Sequence, residues 1–105
     1  MAFQPRGGPP IARSLSIGTD GSINGGGTTA EAVKYVMPAA STWVDIGATG
    51  NPVRVYFNVE DFMSGLNFLP VAAGANFSAP MEARFLWFRA TGGVSVVNLF
   101  AIVKG

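Results

Sequence analysis

The last quarter of the sequence, residues 81–104, carries two apolar runs on either side of the pair Gly92-Gly93. Both runs are rich in β-branched and aromatic residues, which favour strands. A Gly-Gly pair supplies the positive φ angles that a two-residue hairpin turn requires. The pattern therefore predicts a β-hairpin over residues 81–104, with Gly92 and Gly93 as its loop.

Both faces of this predicted hairpin are apolar. With a two-residue loop, one face carries Ala83, Phe85, Trp87, Val96, Phe100 and Ile102. The opposite face carries Leu86, Phe88, Val97, Leu99, Ala101 and Val103. A strand with one solvated side alternates apolar and polar residues, and that alternation is missing here. One face should therefore pack in the domain core, and the other should be covered by a second sheet layer, a loop or another copy of the protein. Either face can serve as the core.

The composition is that of a small, sparsely charged β protein. The chain has 105 residues, enough for one domain, and only 12% of them are charged while 49% are hydrophobic. The net charge of +1 offers no concentrated positive field, so we expect neither nucleic acid nor a membrane as a partner. Low charge also weakens the repulsion that keeps small domains monomeric, which favours a homo-oligomer.

Two side chains that carry much of enzyme chemistry are missing, because the sequence contains no cysteine and no histidine. This excludes Ser-His and cysteine-based nucleophilic catalysis and removes the two most common zinc ligands. The neighbours Glu60 and Asp61 would point to opposite faces of a strand, which makes them a poor acid-base pair. We therefore expect no enzymatic activity, no catalytic residue, no metal and no cofactor.

The first twelve residues have the composition of an extended arm. Three prolines favour polyproline-like geometry, and a Gly-Gly pair adds conformational freedom. We expect residues 1–12 to form an arm, either bound to a partner or a passive tail, and residues 13–105 to form a single β domain. The amino terminus lacks the apolar core of a signal peptide, and the sequence contains no apolar run of about 18 residues to span a bilayer. We expect the chain to be made in the cytoplasm.

Between the arm and the predicted hairpin, six short strands are indicated by apolar alternation and by turn residues. They cover residues 13–17, 31–37, 41–46, 52–59, 66–71 and 75–77. The first should point Leu15 and Ile17 inward, and the fourth should point Val53 and Val55 inward and Tyr56 toward solvent. Residues 60–65 are too short and too interrupted to predict a helix. About seven or eight short strands with regular turns indicate an all-β fold, an antiparallel sandwich or a jelly-roll-like barrel.

A possible calcium loop begins at Asp20. Oxygen-bearing side chains, Gly25 at the sixth position and Glu31 at the twelfth approach the calcium-loop pattern. Ser22 stands where Asp or Asn is usual, Gly27 replaces the apolar residue that anchors such loops, and no amphipathic helix flanks the segment. We interpret it as a connector rather than a metal site.

Two segments carry a resemblance to a known group of proteins. Residues 68–77, FLPVAAGANF, and residues 83–96, ARFLWFRATGGVSV, resemble the closing half of small β-sandwich virion proteins of tailed bacteriophages. In that group an apolar-Pro-x-x-x-Gly segment leads into a strand, a Gly-rich turn and a final valine-rich strand. The resemblance implies a cement, decoration or connector protein on a capsid or tail, often trimeric, with an arm that reaches a neighbour. It implies no catalytic residues.

The residues and the resemblance together lead us to expect a non-enzymatic virion structural protein, made in the host cytoplasm. It would stabilise an assembly by contacting a major capsid or tail protein through strand faces and its arm. The candidate interface residues are Phe3, Pro5, Arg6, Pro9, Pro10, Leu86, Phe88, Val97, Leu99 and Val103.

The alternative is a carbohydrate- or receptor-binding β module on a fibre or adhesin. In that case Trp43, Tyr56 or Trp87 would stack on sugars at an exposed sheet face. An exposed row of aromatic side chains would favour this hypothesis, whereas burial of both tryptophans would count against it.

Overall fold

The computed structural model describes residues 10–24 and 34–104, which fold as a sandwich of two antiparallel sheets. The elements are β1 (Pro10–Ile17), β2 (Ile23–Asn24), β3 (Tyr35–Val36), β4 (Ser41–Thr49), β5 (Val53–Tyr56), α1 (Val59–Ser64), β6 (Leu69–Val71), β7 (Asn76–Pro80), β8 (Phe85–Ala90) and β9 (Ser95–Val103). The five-stranded sheet has the order β2-β1-β9-β4-β7, and the four-stranded sheet has the order β3-β8-β5-β6. The predicted all-β antiparallel sandwich is confirmed.

The core lies between the two sheets and is made of alternate side chains of each strand. Leu15 and Ile17 of β1 are fully buried, as predicted, and Val53 and Val55 of β5 face them from the other sheet. This alternation follows from the pleat, which points successive side chains to opposite faces. Each fully buried side chain of this kind stabilises the fold by about 1.5–3 kcal/mol.

The last two strands do not form the predicted hairpin. β8 pairs with β3 and β5 in the four-stranded sheet, whereas β9 pairs with β1 and β4 in the five-stranded sheet. The connection, residues 91–94, is four residues long and crosses from one sheet to the other. Gly92 has a φ of 87°, so the left-handed conformation is present, but the turn directs the chain across the core. The apolar faces of the two strands therefore meet across the sandwich.

A second crossing connection holds this one in place. The β4–β5 turn also passes between the sheets, and its residues bond the β8–β9 connection directly. The Thr91 N–H donates to the Pro52 carbonyl at 2.9 Å, and Asn51 Nδ2 donates to the Val94 carbonyl at 2.9 Å. The buried Ser95 hydroxyl donates to the Asn51 carbonyl at 2.6 Å. These bonds join chain segments about 40 residues apart, which is why a local turn signal did not reveal them.

The predicted arm is shorter than expected at its carboxyl end. β1 begins at Pro10 rather than at Arg13, and Pro10 and Ala12 lie opposite Ile102 and Phe100 of β9. Among the described residues β2 pairs only with the far end of β1, so Pro10 lies in an edge strand, where proline is tolerated. Residues 1–9 lie outside the described residues.

A short helix, α1, stands where the sequence did not predict one. The Asp61 N–H donates to Asn58 Oδ1 at 2.8 Å, and Asn58 Nδ2 donates back to the Asp61 carboxylate at 2.9 Å. Gly65 ends the helix in the left-handed conformation with a φ of 73°. Such caps stabilise a helix by about 1 kcal/mol, yet six residues do not hold a helix without tertiary contacts.

Those contacts come from the outer face of the four-stranded sheet. Phe62 packs edge-on against Tyr56, with ring centroids 5.5 Å apart, and both join Trp87 in a second small apolar cluster. Arg89 lies over the Phe62 ring at 4.4 Å and donates to the Phe62 carbonyl at 3.1 Å. Tyr56 was predicted to face solvent, but α1 buries it completely. The part of this face around Tyr56 and Trp87 is thus covered within one chain, whereas Val36 and Phe85 at its β3–β8 end remain exposed.

The burial of Tyr56 generates a prediction, because its hydroxyl has no hydrogen-bond partner among residues 10–24 and 34–104. An enclosed, unpaired hydroxyl costs about 1–3 kcal/mol. Tyr56→Phe should therefore raise the free energy of unfolding by about 1 kcal/mol in urea titrations followed by circular dichroism. Tyr35→Phe is the matched control. Tyr35 is also buried, but its hydroxyl is not an enclosed group without a hydrogen-bond partner. A loss of stability in Tyr56→Phe would show that the hydroxyl is bonded after all.

Candidate functional site on the five-stranded sheet

The outer face of the five-stranded sheet, opposite the core, differs from that of the four-stranded sheet because no helix in the described part of the chain lies on it. Strand register aligns its side chains in rows, since directly opposite residues point to the same side. The first row contains Pro10, Ile102, Trp43 and Pro80; the second contains Ala12, Phe100, Asp45 and Ser78; the third contains Ser14, Asn98, Gly47 and Asn76. The face thus changes from apolar to polar along the strands.

The first of these rows is apolar throughout, and we call Pro10, Ile102, Trp43 and Pro80 the apolar row. Trp43 is 37% exposed, and Phe100 in the adjoining row is 42% exposed. A hollow of about 250 Å³ lies along the row, lined by Trp43, Pro80, Ile102 and Thr42. Large apolar side chains grouped on a surface mark sites of interaction more often than scattered ones do.

A larger depression lies over the second and third rows, and we call it the polar groove. Its volume is about 550 Å³, and its lining includes Ser14, Asp45, Asn76, Asn98 and Phe100. Gly47 lies on this face between Asn98 and Asn76, and a Cβ atom there would come within 3.2 Å of the Asn76 side-chain amide. The glycine therefore leaves room for Asn76 Nδ2 to donate to Asp45 Oδ1 at 2.8 Å.

The structure corrects half of the predicted interface. Leu86, Phe88, Val97, Leu99 and Val103 were candidates for contact with a partner, but all five lie in the intramolecular core at 0–2% exposure. Pro10 belongs to the apolar row, and the candidates Phe3, Pro5, Arg6 and Pro9 lie outside the described residues. The physical reason is that the two strand faces are equally apolar in sequence, and the sandwich encloses the one that was assigned to the partner.

The other face of the predicted hairpin, which includes Trp87, Phe100 and Ile102, points away from the core. Phe100 and Ile102 are on the outer face of β9, while Trp87 of the same predicted set lies under α1 at 8% exposure. Asp45, Asn76 and Asn98 were not predicted as site residues. No local pattern reveals them, because strand register joins Asp45 to a residue 31 positions away.

The aromatic side chains proposed to stack on sugars are mostly enclosed. Tyr56 and Trp87 are buried beside α1, so neither reaches the surface. Trp43 is exposed, and it lies diagonally across from Phe100 on the outer face. Of the three predicted stacking residues only Trp43 therefore remains exposed, and Phe100, which was not among them, lines the polar groove.

The described part of the possible calcium loop is a tight turn between β1 and β2. Asp20 Oδ1 accepts hydrogen bonds from the Ser22 N–H at 3.0 Å and from the Ser22 hydroxyl at 2.8 Å. These two bonds hold the pKa of Asp20 below its ordinary value, and the bond from the Ser22 backbone N–H has the larger effect. Glu31 lies outside the described residues. Within the described ranges, no group of three acidic, histidine or cysteine side chains is placed to hold a metal ion.

Fold and surface together define the class as a small two-sheet β-sandwich in which, among the described residues, one sheet has no helix on its outer face. Comparison with protein-family models, with curated proteins and with solved structures finds no match to this chain. None of the helices in residues 10–24 and 34–104 is long and apolar enough to cross a membrane.

The turn at Asp20 generates a prediction for its titration. Ser22→Ala removes the hydroxyl donor and should raise the pKa of Asp20 toward its ordinary value, as measured by NMR of the carboxyl carbon. Because the folded-state pKa is lowered, the ionised carboxylate supports the turn at neutral pH. This support is lost as the pH falls below about 3.9 and through the folded-state pKa. An unchanged Asp20 titration in Ser22→Ala would contradict this cause.

Proposed function

We propose that this protein is a non-enzymatic virion structural component of the cement, decoration or connector type. It binds protein neighbours in a capsid or tail through the outer face of the five-stranded sheet. The observation that carries the proposal is the apolar row, with Phe100 beside it, on a sheet face that no described residue covers. The four-stranded sheet differs in part, because α1 covers Tyr56 and Trp87 on its outer face while Val36 and Phe85 stay exposed.

The chemistry of the apolar row suits a protein surface. Trp43 supplies a large, partly exposed aromatic ring, and tryptophan is among the residues that contribute most to binding free energy at interfaces. Proline and isoleucine on either side extend the apolar area without charge. The polar residues of the second and third rows would then form the hydrated rim that such interfaces have.

We propose that the arm takes part in the same contact. Residues 1–9 lead directly into Pro10, which is itself a member of the apolar row. Nine extended residues span at most about 30 Å, while the four strands of the row cover about 14 Å. An arm that starts at this row is long enough to reach a neighbour that contacts the row, which supports a contribution from Phe3, Pro5, Arg6 and Pro9.

The virion setting rests on the resemblance of residues 68–77 and 83–96 to tailed-phage sandwich proteins. Low charge favours self-association, and that resemblance favours a trimer. The proposed partners are therefore further copies of this chain and a major capsid or tail protein.

The proposal predicts that one charge in the apolar row disrupts self-association. The full chain should be a trimer or another homo-oligomer by light scattering after size exclusion, and Trp43→Asp should be a folded monomer, because a buried unpaired carboxylate is strongly unfavourable. Val94→Asp is the control, since Val94 is 62% exposed in the crossing connection and lies outside this face. A monomeric wild-type chain, or a Trp43→Asp variant that keeps the wild-type mass, would contradict an interface at the apolar row.

The virion role has a separate test in particles. Particles assembled without this protein, or with the Trp43→Asp variant, should release their contents at a lower temperature than wild-type particles. Equal heat resistance with and without the protein would rule out the cement role, and this outcome does not depend on whether the isolated chain self-associates.

A further inference from the structure

We propose that the polar groove is a binding site for a neutral saccharide. The site combines a polar hydrogen-bonding floor with one exposed aromatic wall, and it lies beside the apolar row rather than in it. Its volume of about 550 Å³ is within the 300–1,000 Å³ range of small-molecule sites and suits one or two sugar rings. This inference goes beyond the structural role and does not depend on it.

The floor of the groove carries polar groups in fixed positions. Asn76 Nδ2 donates to Asp45 Oδ1 at 2.8 Å, and this bond orients the amide and the carboxylate relative to each other. Asn98 Nδ2 donates to Thr49 Oγ1 at 3.3 Å from the opposite side of Gly47. Groups that are already oriented lose less conformational entropy when a ligand binds.

The polar atoms of the groove that have hydrogen-bonding capacity left among the described residues complement the hydroxyls of a sugar. Asp45 Oδ2 and the side-chain oxygens of Asn76 and Asn98 accept no hydrogen bond from the described residues, so each can accept from a ligand O–H. The second N–H of the Asn76 amide and the Ser14 hydroxyl can donate to ligand oxygens. Neighbouring hydroxyls of a sugar both donate and accept, and this mixture of groups satisfies both directions.

Phe100 gives the groove an apolar wall. It is 42% exposed and lies opposite Asp45 on the neighbouring strand, so its ring borders the polar floor. A pyranose ring has an apolar face of C–H groups, which can bury against this ring while the hydroxyl edge meets Asp45 and Asn76. Stacking of a planar ligand on an aromatic side chain typically contributes about 1–3 kcal/mol, as measured for nucleic-acid bases.

The charges of the groove favour an uncharged ligand. Asp45 contributes one negative charge, and Arg13 is among the lining residues, although its position opposite Leu99 lies outside the three outer-face rows. Arg13 Nη1 is partly occupied, because it donates to the Ala12 carbonyl at 2.9 Å. An anionic ligand would meet the like charge of Asp45, whereas a neutral ligand meets only hydrogen-bonding partners.

The test is NMR of the ¹⁵N-labelled full chain with maltotriose, cellotriose and tri-N-acetylchitotriose as probes. At least one probe should shift the side-chain amide signals of Asn76 and Asn98 at millimolar concentration. Asp45→Asn and Phe100→Ala should each weaken this binding about tenfold. Gly47→Val should abolish it, because the side chain fills the floor while valine itself suits a strand.

Two control variants separate this site from the rest of the outer face. Ser16→Ala lies on the same face but outside the groove, and Trp43→Asp alters the apolar row; both should keep the saccharide affinity. Binding that survives in Trp43→Asp while the oligomer is lost would support a site independent of assembly. No response to any probe at millimolar concentration, or shifts that Phe100→Ala and Gly47→Val leave unchanged, would overturn the proposal.

Discussion

The structure depends on one constraint, which is that β9 is apolar on both faces while a two-layer sandwich can enclose only one face of a strand. Its inner face, with Val97, Leu99, Ala101 and Val103, packs against the four-stranded sheet. The central position of β9 between β1 and β4 then carries Phe100 and Ile102 to the outer face. In β8, by contrast, the outward-facing Trp87 is covered by α1. Among the described residues, a helix lies on the outer face of one sheet only, and this difference separates the two sheets.

The sequence allowed the strands and most of the inward-facing residues to be predicted, because alternation is a local property. Leu15, Ile17, Val53 and Val55 point inward for that reason. The pairing of β8 and β9 was predicted incorrectly because Gly92-Gly93 serves a hairpin and a crossing between sheets equally well. What decides between them is the contact with the β4–β5 turn, through Asn51 and Pro52, which lies about 40 residues away.

Neither α1 nor the polar groove was predicted from the sequence, and the two reasons are related. Asn58, Asp61 and Gly65 are recognisable capping residues, yet a helix this short depends on Phe62 packing against Tyr56 and Trp87, and those contacts are tertiary. Asp45, Gly47 and Asn76 form one site only because β4 and β7 pair in a particular register. A shift of one residue would turn these side chains to the opposite face. Their sequence neighbours give no sign of that register, so the groove becomes visible only in the folded chain.

The division of the outer face into an apolar row and a polar groove also bears on how the two proposals fit together. A neighbour that docks on Pro10, Ile102, Trp43 and Pro80 contacts one end of the face and leaves the groove around Gly47 near the rim. A shallow groove with one aromatic wall binds a saccharide weakly by itself. In an oligomer built through the apolar row, each copy would display one groove, and linked weak sites can exceed the affinity of one site by about 10²–10⁴-fold when geometry permits simultaneous contact. If both proposals hold, assembly would strengthen saccharide binding, since an oligomer would present several linked sites.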